Sequence, residues 1–340
     1  MILVTGATGM VGGHLIWHLL QSNGRISALT RSNSNTTDLR TVFEFYTNTP
    51  DQYLSRVDWV KGDVLNFNSL KRAFEGMEYI YHCAAIVNLG KNYNEMILTN
   101  AKGTENVVNA ALCNKVKKLC FVSSIAAVSD DISHGPIDEN TPIEPDKPVS
   151  TYSESKMLAE KEIEKGIQKG LNAVIVNPGV ILGISKKMTG SGELFKLAKK
   201  GLPFYTFGKT AYVDVRDVCK AMILLMNSNI NGERFIIAGE NCYHRDILRW
   251  MAEGYHTYRP FIGFGKLLIP LAGVLEIIGK IAGFTPLIDR SSASISISRK
   301  EYSCKKFLSR FEFTFTPIRE CILEICDFDL KNQEKTVLHP

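Results

Sequence analysis

The residues with the clearest chemical potential are Tyr152 and Lys156, in the stretch Thr151-Tyr152-Ser153-Glu154-Ser155-Lys156. They are four apart on a helical pattern that runs to about Gln168, so they share one face. An ammonium beside a phenol stabilises the phenolate and lowers the tyrosine pKa. Tyr152 is therefore expected to donate or accept a proton near neutral pH. The spacing also arises by chance on any amphipathic helix, so its weight comes from what surrounds it. Upstream, an apolar run ends in Phe121-Val122-Ser123-Ser124. Ser124 is expected to hold a substrate oxygen by a hydrogen bond, with Ser123 in its place if the strand register is off by one.

The first elements of the chain must position that chemistry. Ile2-Leu3-Val4-Thr5-Gly6-Ala7-Thr8-Gly9-Met10-Val11-Gly12 places a short apolar strand before glycines at 6, 9 and 12. An apolar helical pattern follows through Leu15, Ile16, Leu19 and Leu20. Gly6 permits a tight turn, Gly9 lets a pyrophosphate approach the backbone, and Gly12 lets the helix pack close on the strand. The free N–H groups at the helix start then face phosphate charge. The plain alternative is an ordinary β–α turn. A second strand, 25–30, ends at Thr30, and Arg31 follows; no carboxylate appears until Asp38. An acid at this point would bind a ribose 2′-OH, whereas arginine pairs with a 2′-phosphate, which favours NADP over NAD. Arg31 as a simple surface residue is the alternative.

A third strand, 57–61, leads into Gly62-Asp63-Val64. Asp63 either accepts a hydrogen bond from an adenine amino group or caps the helix at 66–75. A fourth strand, 79–82, precedes Cys83-Ala84-Ala85, small residues beside which a cofactor can lie. His82 reads as a satisfied core histidine. A long helix at 94–114 and a fifth strand at 118–123 complete an alternation that implies a doubly wound parallel sheet, a Rossmann-type α/β fold. Ligands of such sheets sit outside the carboxyl ends of the strands, which here are Gly6, Arg31, Asp63, Ala84 and Ser124.

With 340 residues, 45% hydrophobic and 22% charged, the chain suits one large α/β domain with an elaborated second lobe. Forty basic against 35 acidic residues give +5, and the lysine pairs are scattered, which argues for solvated surface over a nucleic-acid stripe. The eight cysteines show no metal-like spacing, so no metal site is expected. They suit a reduced, cytoplasmic protein whose first strand leaves no room for a targeting segment.

On these residues the chain resembles the extended short-chain dehydrogenases/reductases, the NAD-dependent epimerase/dehydratase superfamily. It is most similar to the dihydroflavonol 4-reductase-like and 3β-hydroxysteroid dehydrogenase-like branches. Further matching motifs are Asn177-Pro178-Gly179-Val180-Ile181-Leu182-Gly183, Tyr212-Val213-Asp214-Val215-Arg216-Asp217-Val218 and Gly232-Glu233-Arg234-Phe235. The resemblance implies Ser124, Tyr152 and Lys156 as the catalytic set, with Lys156 also on the nicotinamide ribose. It implies Gly6, Thr8, Gly9, Met10, Val11, Gly12, Arg31, Asp63, Val64, Ala84 and Ala85 around the cofactor, and Pro178 and Ile181 flanking the nicotinamide. A homodimer is a family expectation. Dehydratases of the superfamily carry an Asp-Glu pair where this chain has Ile125-Ala126, and epimerases often have Arg-Pro where it has Asn177-Pro178.

These features point to an NADP-dependent oxidoreductase acting on a ketone or secondary alcohol of a small, apolar or cyclic substrate. The alternatives are a nucleotide-sugar epimerase with tightly bound NAD, and a non-catalytic NADP-binding sensor or assembly protein. The expected organisation is a nucleotide-binding part at 1–183, to which 212–238 returns, and a smaller interleaved substrate lobe of 184–211 and 239–327. A polar, frayed tail is expected at 328–340. The apolar stretch 261–284 is broken by Lys266, Glu276, Lys280 and Pro270, and its uncharged piece 267–275 is far short of the ~20 residues a membrane span needs. A lid over the substrate pocket is favoured there over peripheral membrane attachment.

Overall fold

The structure is a computed structural model. It describes residues 1–338 except 32–36, 88–92, 130, 134, 143–149, 187–189 and 274–289. Seven strands form one sheet: β1 (Ile2–Thr5), β2 (Ile26–Thr30), β3 (Val57–Lys61), β4 (Tyr79–His82), β5 (Lys118–Val122), β6 (Ala173–Pro178) and β10 (Glu233–Ile237). Their order is β10-β6-β5-β4-β1-β2-β3, and every pairing is parallel. The order reverses between β1 and β4, which opens a crevice at the carboxyl ends of those two strands.

Alternation along each strand explains why both faces are covered. Val4, Ala28, Tyr81, Cys120, Val122, Val174 and Val176 enter one buried cluster, while Leu3, Leu29, Ile80, Leu119, Phe121, Ala173 and Ile175 enter the other. Helices α1 (Met10–Leu20), α2 (Thr37–Glu44), α3 (Pro50–Leu54), α4 (Phe67–Ala73), α5 (Tyr93–Ile97), α6 (Gly103–Cys113) and α7 (Thr151–Gln168) follow in chain order. Beyond them lie β7 (Val180–Leu182), α8 (Gly192–Lys199), β8 (Phe204–Thr206), β9 (Lys209–Asp214), α9 (Val215–Asn227), β11 (Glu240–Tyr243), α10 (His244–Gly254) and β12 (Ile262–Phe264). A small sheet joins β11, β9 and β7, and β12 pairs with β8. A third core gathers Phe195, Tyr212, Ile247, Met251, Ile322 and Ile325 beneath them.

Two sequence expectations need correction. The helix at 94–114 is not continuous: a π-helical turn, Leu98–Lys102, separates α5 from α6. The reason is Asn100, whose side chain bonds outside its own helix, to Ile86 and Ser155. Residues 328–338 are not frayed, because the last helix runs Ile318–Leu338. Phe328 packs edge-on against Phe45 at 5.2 Å and Asp329 pairs with Lys199 at 2.6 Å, so tertiary contacts hold a polar sequence helical. β9 ends at Asp214, whose carboxylate caps α9 by accepting the Arg216 N–H at 2.7 Å. Of the stretch 261–284, residues 274–284 lie outside the described residues.

Candidate functional site

The glycine turn closes tightly around itself. Gly6 has φ +67°, and a Cβ there would sit 2.6 Å from the Ala84 nitrogen and 2.7 Å from the Cys83 carbonyl. A Cβ at Gly12 would lie 2.2 Å from the Gly6 oxygen, so no other residue allows α1 this close to β1. The Gly9 N–H donates to the Gly6 carbonyl at 2.9 Å, and Gly9 stands at the N-cap of α1 without a capping side chain. Thr8, Met10 and Val11 complete the turn and the first helical residues. The N–H groups of that first turn are free of intrahelical partners by helix geometry. This cradle fits a dinucleotide pyrophosphate, because any side chain at Gly6 or Gly12 would displace the backbone that forms it.

β4 supplies the next wall. The Ala84 N–H donates to Thr5 Oγ1 at 3.2 Å, and Ala85 follows it, partly exposed. His82 is fully buried, with Nδ1 2.7 Å from Thr5 Oγ1 and Nε2 3.1 Å from Thr104 Oγ1. Burial, aided by the Lys156 charge, pushes its pKa down to about 3. It is the satisfied core histidine that the sequence suggested.

At the far end of the crevice, Arg31, Lys61, Asp63 and Arg72 line a cleft of about 590 Å³. Asp63 Oδ1 accepts the Leu65 N–H at 2.9 Å, while the cap of α4 is Asn66, which accepts the Ser69 N–H at 3.0 Å. Asp63 is thus not the helix cap, and it lies in the same cleft as Arg31. Val64 is buried, and its carbonyl accepts Asn106 Nδ2 at 2.9 Å.

The proton-transfer candidates meet at the other end. Ser150 caps α7 by accepting the Ser153 N–H at 3.1 Å. Ser124 caps the short turn Ile125–Ala127 by accepting the Ala126 N–H at 3.1 Å, which fixes its hydroxyl at the strand end. Of the two serines it is Ser124 whose side chain acts on the Tyr152 phenol, opposing the rise that burial causes. Lys156 is 3% exposed; its Nζ donates to the Val122 carbonyl at 2.8 Å and lies 5.1 Å from the Phe121 ring centroid. The expected acidic phenol is not what the site shows. Burial pushes Tyr152 up to about 12, with the Ser124 side chain only partly opposing it. Burial also pushes the Lys156 ammonium down to about 8, with Glu160 and Cys83 acting the other way. Cys83 stands between the two halves of the site: its carbonyl leaves no room for a side chain at Gly6, and the Lys156 charge acts against the burial that raises its thiol. Pro178 ends β6, one residue after Asn177, whose Nδ2 donates to the Ser124 carbonyl at 2.9 Å. Ile181 lies in β7, partly exposed, and its carbonyl accepts the Ser191 hydroxyl.

Sequence reading missed two supports. Glu160, one turn beyond Lys156 and 2% exposed, accepts Asn177 Nδ2 at 2.6 Å and pairs with Arg234 at 2.9 Å. Its burial raises its own pKa, with the Arg234 charge opposing. The four-residue spacing from Lys156 was the available signal. Asn100 accepts the Ile86 N–H at 2.8 Å, and its Nδ2 donates to the Ile86 carbonyl at 3.0 Å and to Ser155 Oγ at 2.9 Å. It ties the segment after β4 to α7 between Tyr152 and Lys156. A lone asparagine in a helical pattern carries no signal of this.

Comparison with known proteins bears on the family and the fold. The model of the NAD dependent epimerase/dehydratase family matches residues 2–238. A putative dihydroflavonol 4-reductase of Synechocystis is 27% identical, over 94% of this chain and 92% of its own length. Sterol demethylase protein B of Methylococcus capsulatus is 29% identical, over 79% and 77%. Among solved structures, that of gox2253 superposes with a TM-score of 0.82 at 26% identity, covering 98% of each chain.

Proposed function

The chain belongs to the NAD-dependent epimerase/dehydratase family and is an NAD(P)-dependent oxidoreductase, and from that premise we propose that it interconverts a ketone and a secondary alcohol with NADP(H). The observation that carries the reading is the meeting of the glycine cradle and the Ser124–Tyr152–Lys156 group on either side of Cys83. NADPH, when bound, supplies the hydride. Ser124 orients the substrate oxygen, and Tyr152 gives it a proton in the reductive direction. A phenol held near 12 stays protonated at neutral pH and is ready to donate. Lys156, cationic below about 8, makes loss of that proton less costly and is placed to reach a ribose hydroxyl.

Arg31 in the far cleft supports NADP, since a guanidinium pairs bidentately with a 2′-phosphate that a carboxylate would repel. Ile125 and Ala126 beside Ser124 offer no acid–base pair, which supports simple redox chemistry over dehydration. The names of the relatives, a flavonoid-type reductase and a sterol-processing protein, support an apolar or cyclic substrate.

The test is NADPH consumption against a panel of cyclic and aromatic ketones, with Tyr152→Phe alongside. The expected result is turnover by the wild type and a loss of at least about 100-fold in kcat in the variant. The same assay with NADH in place of NADPH is expected to give the lower kcat/KM. Equal NADPH consumption by both proteins sinks the role of Tyr152, and a preference for NADH sinks the role of Arg31.

A further inference from the structure

In the part of the chain that follows the parallel sheet's sixth strand, residues 199–209 and 256–273 build one surface. β8 and β12 pair, the Phe261 and Ile262 N–H groups both donate to the Pro203 carbonyl at 2.9 Å, and the Tyr258 hydroxyl donates to the Gly201 carbonyl at 2.7 Å. The side chains that this scaffold holds outward are large and apolar. Phe261 is 70% exposed, Leu267 81% and Tyr258 59%, with Phe204, Phe207 and Leu271 also exposed. The helical turn at 268–273 shows that this is not a face awaiting the core. Its inner residues, Leu268 and Ala272, are already buried with Ala293, while Leu267 and Leu271, four apart, are turned out. Soluble proteins rarely leave so many neighbouring apolar side chains in water unless they meet a partner.

The charge pattern says which partner. The two stretches hold Lys199, Lys200, Lys209, Arg259 and Lys266 and not one aspartate or glutamate. Lys199 and Lys209 pair with Asp329 and Glu301, while Lys200, Arg259 and Lys266 are exposed. Aromatic and leucine tips rimmed by cations match the interface of an anionic bilayer, where the rings enter the headgroup boundary and the cations meet lipid phosphate. A second copy docked on the same face would set cation against cation. No helix among the described residues is long and apolar enough to cross a membrane. We propose that this face is a docking surface for an anionic lipid bilayer, which seats the enzyme on the membrane.

The test is sedimentation of the full chain with vesicles of phosphatidylglycerol and phosphatidylcholine in equal parts, and with phosphatidylcholine alone. Binding is expected to the anionic vesicles, weakened by high salt. The double variant Phe261→Ser/Leu267→Ser, whose changes are on the surface, is expected to lose at least about tenfold in partitioning with its thermal melt unchanged. Failure of the wild type to sediment with anionic vesicles overturns the proposal, as does equal sedimentation of the variant. So does a wild-type dimer in light scattering that the same two changes dissolve, since the face would then join copies of the chain. None of these readouts depends on turnover.

Discussion

At the scale of single residues, the decisive feature is a buried amine whose charge is supported from behind. Among the described residues, Glu160 on α7, Cys83 after β4 and His82 in β4 are titratable groups that interact electrostatically with Lys156. His82 is neutral at working pH, and burial pushes the Cys83 thiol up to about 12, so Glu160 is the anion that keeps the ammonium from falling further. Glu160 also holds Asn177, which holds the Ser124 carbonyl. Lys156 is cationic below its value and neutral above it, so reductive kcat/KM is expected to fall as pH rises through about 8. Glu160→Gln removes the supporting charge and moves that alkaline limb down by about one pH unit, while Glu160→Asp restores part of it. A limb that stays in place in the glutamine variant leaves Glu160 with a purely structural role. Sequence reading found Tyr152 and Lys156 because their spacing is local. It passed over Glu160, at the same spacing, because what turns an acid inward is Arg234 on β10 and Asn177 on β6, far away in the chain.

At the scale of elements, the strands and the glycine turn were legible because their causes are local. Apolar runs alternate between two cores, and Gly12 answers a close backbone approach to Gly6 within the first β–α unit, while Gly6, legible from the same glycine spacing, answers one from Cys83 and Ala84 after β4. The π turn and the length of the last helix were not legible, since each is made by a tertiary partner. The π turn exists to aim Asn100 at Ile86 and Ser155, which pins the wall of the crevice to α7. Asn100→Ala strips both backbone groups of Ile86 of these partners in a mostly buried setting. The expected cost is about 1–3 kcal/mol, read as a lower urea midpoint. A weaker affinity for the dinucleotide is expected with it, because the Cys83–Ala85 wall loses its tether. An unchanged midpoint and affinity would show that the turn is held by α5 and α6 alone.

At the scale of the whole molecule, the parallel fold buries histidines as neutral hydrogen-bonding parts. His14 links α1 to the Ile184 carbonyl at 3.0 Å, His82 links β4 to β1 and α6, and His244 meets the Tyr212 hydroxyl at 2.9 Å. Burial lowers His14, His18 and His244 to about 4 and His82 to about 3. In the unfolded chain each takes up a proton near its ordinary value of about 6.5, while the folded chain resists until far lower pH. The unfolded state therefore binds more protons throughout the window from about 6.5 to 4, and folding stability falls as pH falls through it. Glu139 and Glu160, raised by burial, take up protons in the folded state and offset part of that loss. The histidine term is on the order of 1–2 kcal/mol for each residue at about pH 5. Urea unfolding at neutral pH and near pH 5 is expected to show a midpoint markedly lower in acid. The slope of stability against pH is expected to correspond to uptake of about three protons on unfolding. Equal midpoints at the two pH values would mean that the buried histidines open to water and protonate without unfolding the core.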